Sequence, residues 1–168
     1  MAVSEDMHRV AHHLQQRAVA VSPKERDSFA RSAYNRYYYS VFLQAREMMR
    51  EINPAWSSLP HADYPKTLSG KIRKDFINER KKAVKREDGE LVKVIDHACR
   101  SIAELKKIIV AANATRVVAD YEPEEGVEFL AEGRFSLRSI DVTDAHAWTT
   151  KVETHCRTVS RAWKQLNV

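Results

Sequence analysis

An all-α helical bundle of about five helices is the fold this sequence predicts, and three observations predict it. Apolar residues recur at three- and four-residue spacing along most of the chain's 168 residues. There are only four glycines and five prolines, and Gly70, Gly89, Gly126 and Gly133 fall between the periodic segments, where breakers belong in a helical protein. Apolar residues make up 43%, enough for a sizeable core and too many for a disordered chain, and the length fits one domain over 1–168.

Each element has its own signal. Ser4-Glu-Asp-Met7 opens a first helix to about Ala20, with Met7, Val10, Ala11, Leu14 and Ala18 on one face. Ser22-Pro23 reads as a helix start, with Ser22 as N-cap, for a second helix to about Ile52. Pro54 and Pro60 bound a loop, and a third helix from near Pro65 covers a basic run that Asp88-Gly89 breaks or kinks. A fourth helix, from about Glu90 to Ala112, carries Leu91, Val94, Ile95, Ala98, Ile102, Leu105, Ile108 and Ile109 as a stripe. From Asn113 the pattern changes, and the alternation around Gly133 predicts a short irregular or β-hairpin insertion near 127–138. Thr143-Asp144 caps a last helix to about Leu166.

The net charge is +5 and the pI about 9.2. The segment 71–86, KIRKDFINERKKAVKR, concentrates this charge: Lys71, Arg73, Lys74, Arg80, Lys81, Lys82, Lys85 and Arg86 stand against Asp75 and Glu79, a local net of +6. Such a run is either a solvated helix face or a patch for a phosphate backbone, where lysines and arginines displace counterions. No apolar run approaches the roughly 20 residues of a membrane helix, so no membrane contact is expected. MAVSEDMHRVAHHL has no signal-peptide core, and Cys99 and Cys156 do not make a disulfide framework, so a cytoplasmic protein is expected.

The second helix carries an unusual load. Ala30, Tyr34, Tyr37, Val41, Ala45, Met48 and Ile52 form one stripe; Arg31, Asn35, Tyr38, Phe42 and Met49 form its neighbour. A helix apolar on over half its circumference belongs at the centre of a bundle, with tyrosine hydroxyls reaching polar partners. Arg31 on such a stripe needs acceptors from elsewhere in the chain, or else a cleft or an interface, because a buried guanidinium is costly alone.

One source of acceptors is Arg116-Val-Val-Ala119-Asp120-Tyr121. Taken with Arg31-Ser-Ala33-Tyr34-Asn-Arg-Tyr37-Tyr38-Tyr39-Ser-Val-Phe42-Leu-Gln-Ala45, this motif resembles the HEPN (higher eukaryotes and prokaryotes nucleotide-binding) family over about residues 26–166. There a tyrosine-rich R-x-A-Y-Y-type helix precedes an arginine shortly before A-D-Y. The resemblance implies a HEPN-like bundle and a homodimer. It also implies a place in a prokaryotic toxin–antitoxin or phage-defence system. Many members are metal-independent ribonucleases whose R-x4-6-H site pairs a proton-transferring histidine with a charge-stabilising arginine. Here no histidine occurs anywhere in 98–145, and four residues beyond Arg116 stands Tyr121. A phenol titrating near about 10 is a poor general base at neutral pH. The reading is therefore a non-catalytic module that binds RNA, a nucleotide or a cognate protein, without cofactor. Arg31, Arg36 and Arg116 grip phosphate, Asn35 and Tyr38 stand beside them, and the basic run follows the backbone. In the bland version of the same cluster, Asp120 neutralises Arg31 or Arg116. The alternative is a ribonuclease with a rearranged site built on Arg116, Tyr121 and His61.

Other constellations are weaker. His8 and His12 have i,i+4 metal-ligand spacing but no third ligand motif; His97-x-Cys99 and His155-Cys156 could make four ligands in principle, but Cys99 and Cys156 lie near apolar stripes and read as small core residues, so no metal is expected. There is no P-loop and no serine elbow.

Overall fold

A computed structural model of the chain describes residues 2–166. It is an all-α helical bundle with one small antiparallel sheet. The helices are α1 (Ala2–Ala20), α2 (Arg26–Ile52), α3 (Tyr64–Thr67), α4 (Arg73–Lys85), α5 (Gly89–Tyr121) and α6 (Val142–Leu166). A π-helical turn, Leu68–Ile72, joins α3 to α4, so the predicted third helix is one continuous helical stretch. Its inward residues are Tyr64, Leu68, Ile72 and Phe76, every fourth position. An α-helix turns about 400° in four residues, so such a stripe drifts by about 40° per step; the wider π turn takes that drift out.

Four boundaries differ from expectation, each for a local reason. α1 begins at Ala2, ahead of Ser4, which is buried. Ser22 opens a turn rather than capping a helix: its carbonyl accepts from Glu25 N and Arg26 N, its hydroxyl donates to Glu25 Oε2 at 3.0 Å, and α2 starts at Arg26. α5 does not end at Ala112 but runs on to Tyr121, because Ala112, Thr115, Val118 and Ala119 continue its buried face and the Thr115 hydroxyl turns back onto Ala111 O. The cap of α6 is Asp141, whose Oδ1 accepts from both the amide and the hydroxyl of Thr143.

The chain divides into two compact units, each discontinuous in sequence. One holds the residues up to Leu43 together with Ile109–Lys151; the other holds Gln44–Ile108 and the chain from Val152 on.

In the first unit two tyrosines of α2, Tyr34 and Tyr37, tie it to neighbouring elements. The sheet consists of β1 (Glu128–Phe129), β2 (Phe135–Leu137) and β3 (Ile140–Asp141) in that order, with Phe129 opposite Phe135 and Leu137 opposite Ile140. Tyr34 fastens it to α2: its hydroxyl donates to Ile140 O at 2.7 Å and Phe135 O at 3.3 Å, and its ring meets Phe135 edge-on. Tyr37 donates to Gln15 Oε1 of α1 at 2.5 Å. Burial pushes both phenols upward, so they stay protonated donors. β2 and β3 are joined by Arg138-Ser139, both left-handed (φ 45° and 61°), the two-residue geometry that matches strand twist.

In the second unit Phe76 of α4 packs edge-on against Trp163 of α6, and Arg80 of α4 holds Asp96 of α5 with two hydrogen bonds, 2.7 and 3.1 Å. α4 ends at a left-handed Glu87, after which Asp88 Oδ1 accepts from Leu91 N and caps α5.

Candidate functional site

The first unit gathers most of the residues marked in α2 and at the end of α5. Arg31 does not pair with Asp120. Its Nε donates to Asp27 Oδ2 at 2.7 Å, one turn upstream on α2. Its Nη1 donates to the carbonyls of Val118, Ala119 and Glu122 at 3.2–3.3 Å, and its Nη2 to Glu125 O. The last carbonyls of a helix have no partner within it and carry the negative end of its dipole. Arg31, with 14% of its side chain exposed, supplies both the donors and the charge that the C-terminus of α5 lacks.

Asp120 serves Arg116 and Asn35. Asn35 Nδ2 donates to Asp120 Oδ1 at 2.7 Å, and Arg116 Nε lies 2.8 Å from Asp120 Oδ2. The Arg116 N–H does not point along that line, so the contact is an ion pair without a hydrogen bond. The guanidinium sits between two rings, 5.9 Å from the centre of Tyr38 and 5.4 Å from that of Tyr121, which is 66% exposed. Arg36 is exposed beside Tyr39. Arg31, Asn35, Arg36 and Asp120, with Ser28, Ser32 and Ala119, line a cleft of about 310 Å³. Of its arginines only Arg36 is exposed and without a carboxylate among the described residues.

The basic run belongs to the second unit. Along α4, Lys74, Lys81 and Lys85 fall within an arc of about 40°, opposite the buried Phe76 and Ala83, and span about 16 Å of helix. All three are exposed, and none is in an ion pair among the described residues; Arg86 stands beside them in the same condition. Lys82 is drawn to Glu79 at 2.6 Å, and Arg80 to Asp96. That pairing pulls the Asp96 carboxyl below, and the Arg80 guanidinium above, its ordinary range. Lys71 lies over the Trp56 ring at 5.7 Å and Arg73 is exposed. The uncompensated row on one face of α4 is thus Lys74, Lys81 and Lys85; Arg73 at the start of the helix and Arg86 just past its end are likewise exposed and in no ion pair among the described residues.

His61 is exposed on a short turn, His61–Asp63, in the second unit, while Arg116 and Tyr121 belong to the first. Among the described residues no group of three or more histidine, cysteine or acidic side chains is arranged to hold a metal ion. Cys156 is buried and Cys99 half-buried; both are free thiols that burial holds protonated. No helix among the described residues is long and apolar enough to cross a membrane.

Two features escaped the sequence reading. Asp27 stands four residues before Arg31, a helical pairing distance that marks it as a partner. The backbone carbonyls that take the rest of Arg31 leave no mark in a sequence at all. Compared with protein-family models, with curated proteins and with solved structures, the chain matches none.

Proposed function

We propose that this protein is a non-catalytic RNA-binding module of HEPN type, working in a prokaryotic toxin–antitoxin or phage-defence system. The observation that carries the reading is the row Lys74, Lys81 and Lys85: three unpaired cations in line on the outer face of α4, with Arg86 at its end. A phosphate backbone laid along that row releases its counterions, a gain that needs no particular base sequence. Arg36 adds a second cationic point in the first unit, beside a tyrosine. Arg31 is committed to the end of α5 and Arg116 to Asp120, so neither is the free phosphate grip a ribonuclease needs. The reading as a homodimer comes from the family resemblance and is tested by sedimentation.

The test is a gel shift with end-labelled single-stranded RNA across a salt series. The expected result is a shift with intact RNA, with affinity falling steeply as salt rises. A Lys74→Glu/Lys81→Glu/Lys85→Glu variant should lower the slope of log K against log salt by about 2, since each lost phosphate contact on a single strand contributes about 0.7. RNA neither shifted nor cut overturns the proposal and turns the search to a protein partner. Metal-independent fragments with 2′,3′-cyclic phosphate ends, lost in Arg116→Ala, overturn it in favour of a ribonuclease.

A further inference from the structure

Three histidines from two helices meet in the first unit, none of them among the residues that line the cleft. His8 and His12 stand one turn apart on α1, and His146 comes from the second turn of α6. The ring centres of His8 and His146 are 4.7 Å apart, and those of His12 and His146 5.0 Å. Tyr37 of α2 closes the group, 5.5 Å from His8 and 5.7 Å from His146.

The hydrogen-bond directions assign the tautomers. The Tyr37 hydroxyl donates to Gln15 Oε1, so its oxygen accepts from His146 Nδ1 at 3.0 Å. The Thr149 hydroxyl donates to Ser40 Oγ, so it accepts from His8 Nδ1 at 3.0 Å; Ser40 donates in turn to Ser4 O, back on α1. Both imidazoles therefore carry their single proton on Nδ1, and the next one must go to Nε2. His12 Nε2 faces the Gln16 amide at 3.2 Å, and its Nδ1 is buried without a partner.

The groups facing the cluster are neutral or of the same kind: His12 and Gln15 from α1, His146 and Thr149 from α6, and Tyr37 from α2, whose phenol stays protonated. No carboxylate among the described residues forms an ion pair with any of the three rings. Protonation thus brings cations into ring contact with nothing to offset them. Burial first, and the neighbouring imidazoles second, lower the affinity of His8 and His146 for that proton.

We infer that this cluster is an acid-responsive latch: neutral, it holds α1 against α2 and α6; protonated, it releases α1. The sign follows from the lowered affinities. The unfolded or released histidines, titrating near about 6.5, bind the proton better than the packed ones. The latch is therefore at full strength above that pH and weakens as pH falls below it.

The test is amide hydrogen exchange on the full chain at pH 7.5 and 5.0, corrected for the intrinsic pH dependence of exchange. The expected result is at least a tenfold loss of protection in residues 4–20 on acidification, with 73–85 in the second unit changing less. His146→Phe should flatten the response, while His13→Gln, an exposed residue outside the cluster, should leave it as in the wild type. Equal protection of α1 at both pH values overturns the inference, as does a full response in His146→Phe. Should that variant fail to fold, His8→Gln and the wild-type imidazole resonances decide. A titration of His8 and His146 that does not coincide with α1 opening overturns it equally.

Discussion

Arg31 of α2 closes the carboxyl end of α5, its Nη1 standing 3.2 Å from Val118 O, 87 residues further along the chain. The guanidinium fork is what makes this work: one planar group reaches Asp27 on its own helix and four backbone carbonyls on another segment. Arg31→Ala takes the donor from Ala119 O and Glu125 O, while Val118 O and Glu122 O keep the amides of Glu122 and Glu125; it should cost about 1.5–3 kcal/mol, the range for hydrogen bonds from a charged group. Arg31→Lys should recover less than half, because one ammonium cannot span the set. Urea denaturation midpoints check both.

Tyr34→Phe keeps the ring against Phe135 and removes the donor to Ile140 O. A loss of about 1–2 kcal/mol is expected, and it should fall locally: amides of 128–141 should exchange faster while those of α1 stay protected. A loss spread evenly over the unit would show that Tyr34 acts through packing alone.

The Arg138-Ser139 turn holds two side-chain-bearing residues where glycine or asparagine is usual. Arg138 has compensating ion pairs to Glu122 and Glu125; Ser139 has only a hydrogen bond to its neighbour's carbonyl. Ser139→Gly should relieve about 1 kcal/mol of left-handed strain and return part of it in unfolded-chain entropy. A net gain of about 0.5 kcal/mol, or about 1–2 °C in Tm, is expected by thermal melting.

Asp96→Asn frees Arg80 at the edge of the basic row. The salt dependence of RNA binding should steepen by about 0.7, one added phosphate contact, with no change in the midpoint salt of a Lys74→Glu/Lys81→Glu/Lys85→Glu background. An unaltered slope would show that RNA does not reach that side of α4.

His155 reports on the second unit. Burial first lowers its proton affinity, His97 adds to this, and Glu104 opposes it; its Nδ1 lies 3.3 Å from the Ser101 hydroxyl. A depressed histidine contributes stability that is whole above about 6.5 and is lost as pH falls below. His155→Gln should therefore show a smaller drop in unfolding free energy between pH 7.5 and 5.0 than the wild type.

The helices were legible because their apolar stripes are long and regular: the two faces of α2 named from spacing are the faces that are buried, from Ala30 to Met49. The end of α5 was not, because Asn113-Ala-Thr115 looks like the close of a helix until Val118 and Ala119 are seen packed. The same extension puts Arg116, Asp120 and Tyr121 on helical turns, which is why Asp120 meets Arg116 four residues away rather than Arg31. The need of Arg31 for partners was readable; that most of them are carbonyls was not, since every residue has one. His8 and His12 share a face by spacing alone, but nothing local brings in His146, which arrives from a helix more than a hundred residues away.

The π turn at Leu68–Ile72 gives this stretch of chain a tolerance that a straight helix lacks. Such a turn holds one residue more than the α-helix around it, and Ser69 and Gly70 sit in it with open space where a Cβ on Gly70 would go. Deleting either residue lets the turn rewind into α-helix. The slack is absorbed there, and the lysines downstream keep their azimuth to the core. A single-codon loss at this point is a silent edit to the cationic face, whereas the same loss within α4 would rotate every later lysine by about 100°.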